Sequence, residues 1–129
     1  MEFLSVSSYS GNKSTGNVKV EGEDDDKLSK NLEGRDVIVV EDIIDTGTTL
    51  YHLLPLIQKQ AKPKSIEVCS LLSKRLPEPA KVTAKYIGFS IPNHFIIGFG
   101  LDYNELYRDL KDIWIISQQG IDFDQSTLN

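Results

Sequence analysis

Apolar residues along this chain fall into short runs separated by polar, glycine- and proline-containing connections, with one stretch of helical period. Val37-Ile38-Val39-Val40 is a β-branched run without polar alternation. That is the pattern of a parallel strand covered on both faces, and it is expected at the centre of a sheet. After a loop, Leu50, Leu53, Leu54, Ile57 and Ala61 fall on one face of an amphipathic helix. Pro55 interrupts the pattern, and a proline deep in a helix costs about 3 kcal/mol, so a kink or a later helix start is expected. Residues 66–72, 86–89, 95–99 and 113–116 read as further strands. The later ones follow one another through short Pro, Gly and Asn connections with no crossover helix, which leaves part of the sheet antiparallel or irregular. Upstream, residues 3–7 form a short strand and 18–20 a returning one. The intervening Ser8-Tyr9-Ser10-Gly11-Asn12-Lys13-Ser14-Thr15-Gly16 is turn chemistry throughout, a mobile loop over about residues 8–17.

Strand, helix, strand means α/β. With 129 residues the chain is expected to be one domain, residues 1–129, with one modest core. Its composition, 40% hydrophobic and 26% charged, is that of a soluble globular chain and excludes disorder or a fibrous repeat. The 14 basic and 19 acidic residues leave a net charge of −5. Glu21, Glu23, Asp24, Asp25 and Asp26 account for all of it, in a run read as a solvated turn. Without a basic stripe, nucleic acid is not a general partner. No uncharged apolar stretch is long enough to span a membrane, and Met1-Glu2-Phe3 does not begin like a signal peptide. Cys69 is the only cysteine, so no intrachain disulfide forms; a reducing, cytoplasmic setting is expected.

Chemistry concentrates in Val39-Val40-Glu41-Asp42-Ile43-Ile44-Asp45-Thr46-Gly47-Thr48-Thr49. Here an apolar strand delivers two adjacent carboxylates and then a third into a turn that opens a helix, the end of an α/β sheet where ligands bind. Thr46, Gly47, Thr48 and Thr49 offer hydroxyls and consecutive backbone N–H groups at a helix N-terminus, a cradle for one phosphate. Glu41 and Asp42 beside it suit vicinal sugar hydroxyls, so the implied ligand is a ribose 5-phosphate. The competing explanation is that Asp45 or Thr46 merely caps the helix while the acids end a strand in water. No Walker lysine and no G-x-G-x-x-G follows any strand, so the triphosphate and dinucleotide motifs are absent.

This segment resembles the phosphoribosyl-diphosphate signature of the type I phosphoribosyltransferases: four apolar residues, two acids, two apolar residues and Asp-Thr-Gly. Ser8-Tyr9 and Ser14-Thr15-Gly16 are similar to the flexible loop of the 6-oxopurine members. Leu71-Leu72-Ser73-Lys74-Arg75, Gly88-Phe89-Ser90-Ile91-Pro92 and Gly98-Phe99-Gly100-Leu101-Asp102-Tyr103-Asn104-Glu105 with Tyr107-Arg108 are similar to later motifs of the hypoxanthine-guanine branch. The resemblance implies a type I core, a mostly parallel twisted sheet flanked by helices. It also implies transfer of phosphoribosyl from 5-phosphoribosyl 1-diphosphate to hypoxanthine or guanine, giving IMP or GMP and pyrophosphate.

Carried over residue by residue, the resemblance makes Asp45 the general base facing purine N7. Residues 41–49 become the phosphoribosyl-diphosphate loop, with Glu41 and Asp42 on the ribose hydroxyls and Thr46, Gly47, Thr48 and Thr49 on the 5′-phosphate. Lys74 donates to the 6-oxo group, which an ammonium can do but cannot usefully do for a 6-amino group; without the family it would be a solvated charge. Phe95 stacks on the base, with plain core as its alternative, and Ile96 and Asp102 complete the purine contacts. Arg108 meets the pyrophosphate, with a surface charge as its alternative, and Ser8 and Tyr9 belong to the lid. Magnesium is the implied cofactor, on Asp102 with Glu41 and Asp42 nearby, and a cytoplasmic homo-oligomer, dimer or tetramer, the implied assembly.

Three features depart from the family. Met1 stands where related chains are already mid-domain, so the core is expected to be N-terminally truncated, with a sheet edge and apolar contacts left uncovered. Thr48 occupies a position where basic residues are common, and Pro55 removes a helix N–H. The competing functions are a catalytically weak or inactive partial chain and a non-enzymatic regulator that binds phosphoribosyl diphosphate. Asp45, Lys74 and Phe95, a base-recognition set, argue against the regulator.

Overall fold

The computed structural model describes residues 5–7, 19–21 and 31–123, which fall in two compact units, residues 1–91 and 92–129. In the first unit, strands β1 (Ser5–Ser7) and β2 (Lys19–Glu21) pair antiparallel, as the alternation around residue 19 predicts. The expected loop between them, Ser8 and Tyr9 included, lies outside the described residues.

Strand β3 (Asp36–Ile44) leads into helix α1 (Thr48–Ala61), and β4 (Ser65–Arg75) runs parallel to β3, with Val39 opposite Val68 and Glu41 opposite Ser70. A third strand, β5 (Tyr86–Pro92), completes the order β3-β4-β5. Among the described residues the middle strand is therefore β4, not the β-branched run of β3. Apolarity reports the tendency of a strand to be covered but carries no information about its neighbours, and β3 lies at one end of the order.

Leu50, Leu53, Ile57 and Ala61 are all buried and pack with Ile44 and Val68 as the core, the helical face legible in the sequence. The helix runs from Thr48 through Pro55 without interruption, so the later start expected from the proline does not occur. Pro55 is exposed, on the side of α1 away from the core. Positions on β3 alternate: Val39 packs against the core, while Ile38 and Val40, pointing to the other face, are 59% and 76% exposed. Leu71 on β4 is also exposed.

In the second unit, β6 (Ile96–Ile97) pairs antiparallel with β7 (Trp114–Ile115), and a short helix α2 (Gln118–Ile121) follows, capped by the Ser117 hydroxyl. This is the antiparallel part that the short connections foretold. Ile97 and Ile116 are buried. No described helix is long and apolar enough to cross a membrane.

Candidate functional site

The end of β3 and the first turn of α1 bring together the acids and threonines of the signature. Gly47 is the helix N-cap, at φ 72° and ψ 11°, and no side chain caps the helix. The alternative in which Asp45 or Thr46 is simply a cap is thereby removed. The Thr46 and Thr48 hydroxyls share a hydrogen bond of 3.0 Å. Tyr51 N–H donates to the Gly47 carbonyl at 2.9 Å as the helix closes its first turn. The N–H groups of the residues ahead of it lie at the end of the helix where intrahelical partners are lacking, and no acid stands in that first turn to compete with an anion.

The left-handed backbone of Gly47 is demanded twice. A side chain there would meet the main chain of Val82, with its N only 2.8 Å from an added Cβ, and a φ of 72° is unfavourable for any L-residue with a Cβ. Lys81 N–H donates to the Thr46 carbonyl at 2.9 Å. The connection between β4 and β5 thus braces the turn at Thr46 and Gly47 with its own backbone. This role of Lys81 and Val82 is not legible in residue identity, because main-chain contacts leave no mark on it.

Glu41 faces the helix side of β3, opposite the buried Ser70. Burial, reinforced by the neighbouring charge of Asp42, raises its pKa above the ordinary carboxylate value. Asp42 is exposed and accepts the backbone N–H of Ile43 at 2.7 Å. At the loop's far end Lys74, near the close of β4, places Nζ 2.7 Å from Asp45 Oδ2. Two residues 29 apart in sequence, one expected to recognise the base and the other to take its proton, are therefore in direct contact.

The remaining site candidates of the described chain lie in the second unit. Phe95 is 64% exposed, so the plain-core alternative fails, and its ring meets Tyr103 edge-on at 6.0 Å. Ile96 is half-buried and pairs with Ile115. Asp102 accepts the Glu105 N–H at 2.8 Å through Oδ2 and pairs with Arg108 at 3.1 Å through Oδ1. Arg108 also donates to the Gly100 carbonyl at 2.9 Å and to Glu105 at 3.3 Å. Gly98, Phe99, Gly100, Asn104, Glu105 and Tyr107 all have positive φ, a tight fold of backbone around that carboxylate and guanidinium. Glu105, a partner of Arg108, was not singled out by the sequence.

An αL glycine stands at a helix start, bordered by acids and threonines at the end of a parallel strand, and residues 1–104 match the phosphoribosyl transferase domain. The chain belongs to that family. Within it the chain is similar to hypoxanthine-guanine phosphoribosyltransferase from Bos taurus, 47% identical over 120 residues, and from Homo sapiens, 46% identical over 120 residues; in each case the match covers 93% of this chain and 53% of the relative. The chain thus spans about half the length of these relatives. The crystal structure of a hypoxanthine phosphoribosyltransferase from Staphylococcus aureus superposes with a TM-score of 0.75 at 38% identity, covering 95% of this chain and 64% of that one. A hypoxanthine-guanine phosphoribosyltransferase from Bacillus anthracis gives a TM-score of 0.73 at 42% identity, covering 89% and 65%.

Proposed function

We propose that the chain carries the nucleotide site of a purine-salvage enzyme that transfers phosphoribosyl from 5-phosphoribosyl 1-diphosphate to hypoxanthine or guanine, releasing pyrophosphate. The observation that carries this reading is the pairing of Lys74 with Asp45 at 2.7 Å beside the phosphate cradle. A cradle alone would suit any phosphorylated ligand. A buried ammonium next to a carboxylate suits a 6-oxopurine, whose carbonyl oxygen accepts a hydrogen bond and whose N7 gives up a proton.

In this reading the backbone N–H groups of Thr46 to Thr49 hold the 5′-phosphate, and Glu41 and Asp42 accept hydrogen bonds from the ribose hydroxyls. Phe95 stacks on the base, with Ile96 and Asp102 completing its contacts. Arg108 would draw the pyrophosphate, and the resemblance assigns Ser8 and Tyr9 to the lid. Positive charge builds at C1′ and negative charge on the leaving diphosphate, so the chain works by positioning and by fixed charge.

Magnesium fits the donor set. The described residues contain no group of three His, Cys, Asp or Glu able to enclose a cation. Magnesium does not need one, because it keeps waters and takes one or two carboxylates with substrate oxygens. The resemblance assigns it to Asp102, Glu41 and Asp42, and it would supply neutralisation of charge on the diphosphate. The same family membership supports a single phosphoribosyltransferase domain and a cytoplasmic homo-oligomer, dimer or tetramer. Exposed Phe89, Trp114 and Ile115 provide apolar surface for such assembly.

Calorimetric titration of the chain with IMP, and with phosphoribosyl diphosphate in the presence and absence of magnesium, tests the reading. Saturable heat with both, larger affinity for the diphosphate with the metal, and thermal stabilisation by ligand are expected. Absence of both heat and stabilisation at millimolar ligand overturns it.

A further inference from the structure

The Lys74 side chain is only 6% exposed, whereas that of Asp45 is 49% exposed. A cation withdrawn from water to that extent needs a hydrogen-bonded counter-charge, and Asp45 Oδ2 supplies it at 2.7 Å. The loop bearing Asp45 is held from its other side, by Lys81 N–H on the Thr46 carbonyl and by Val82 main chain packed on Gly47. The carboxylate is therefore on a braced backbone, while Lys74 has a flexible four-carbon stem.

Resting on the function proposed above, we propose that the Lys74–Asp45 pair is a latch that the 6-oxo group of the purine opens. The carbonyl oxygen competes for the ammonium, and as Lys74 turns its hydrogen bond to that oxygen, Asp45 Oδ2 is freed for the N7 proton. In the step that follows, the N9 lone pair forms the bond to C1′ while the bond from C1′ to the diphosphate oxygen breaks and its electron pair leaves with pyrophosphate. The N7–H bond breaks and its proton passes to Asp45. Recognition of the base and release of the general base are thus one event. A purine with an amino group at C6 presents no acceptor there and leaves the latch shut.

The test compares the affinities of IMP and of purine riboside 5′-monophosphate, the same nucleotide without its 6-oxygen, for the chain and for Asp45→Asn. Any new contact of the asparagine with N7 affects both ligands alike, so the ratio of the two affinities isolates the hydrogen bond from Lys74. With the counter-charge removed, that ratio is expected to rise about threefold to tenfold in favour of IMP. An unchanged ratio overturns the latch while leaving the nucleotide site intact. Failure of the unmutated chain to bind IMP overturns the latch and the proposed function together. A second measurement needs no variant: the 15N resonance of the Lys74 ammonium is expected to move on addition of IMP and to stay in place with purine riboside 5′-monophosphate. Equal movement with both ligands overturns the proposal.

Discussion

Glu41 sits half-buried on the helix side of β3, and its pKa is raised by burial first and by Asp42 second. An acid with a raised pKa in the folded state binds more protons folded than unfolded, so it favours folding below its unfolded value of about 4.5 and that contribution is lost as pH rises through the folded value. Glu41→Gln is therefore expected to raise the melting temperature at pH 7 and to leave it unchanged near pH 4, a difference that thermal melts at the two pH values will show. Perturbed carboxylates of this kind accumulate at functional sites. The acids, threonines and glycine of this loop were legible as chemistry because their side chains, or the absence of one, do the work. Lys74 and Asp45 were each legible through resemblance, but their contact was not, since the sequence places them 29 positions apart.

At the scale of the element, α1 followed its apolar period closely, from Leu50 to Ala61, and its start was set by Gly47 rather than by the proline. Pro55 lies mid-helix, cannot donate to the carbonyl four residues earlier, and occupies an exposed position. Pro55→Ala is expected to stabilise the chain by about 2 kcal/mol, the difference between a penalty of about 3 kcal/mol for interior proline and up to about 1 kcal/mol returned by its restriction of the unfolded chain. The midpoint of urea denaturation measures it, and a lower midpoint would show that the helix depends on the proline. The rank of strands was less legible than their existence. The run in β3 predicted a strand and found one, but strand order is decided by pairing and by the path of connections. That is why β4 and not β3 occupies the middle.

For the whole molecule, the open face of the β3-β4-β5 sheet is the largest departure from what an apolar strand pattern implies. Ile38, Val40 and Leu71 are exposed there, although the β-branched run that contains Ile38 and Val40 reads as covered on both faces. The sequence stated how apolar those positions are; what lies against them is not written in the same residues. Val40→Thr keeps the β-branched shape, and a surface substitution of that kind is expected to change stability by less than about 0.5 kcal/mol while lowering the fluorescence of an apolar dye bound to the chain. Undiminished fluorescence would place the dye elsewhere. Another feature of the first unit has a quieter effect. The brace on the turn at Thr46 and Gly47 is made by the peptide groups of Lys81 and Val82. Two neighbouring stretches therefore live under opposite rules of inheritance: Gly47 must be kept letter for letter, whereas residue 81 need only keep its backbone N–H and residue 82 an apolar side chain that packs on the core.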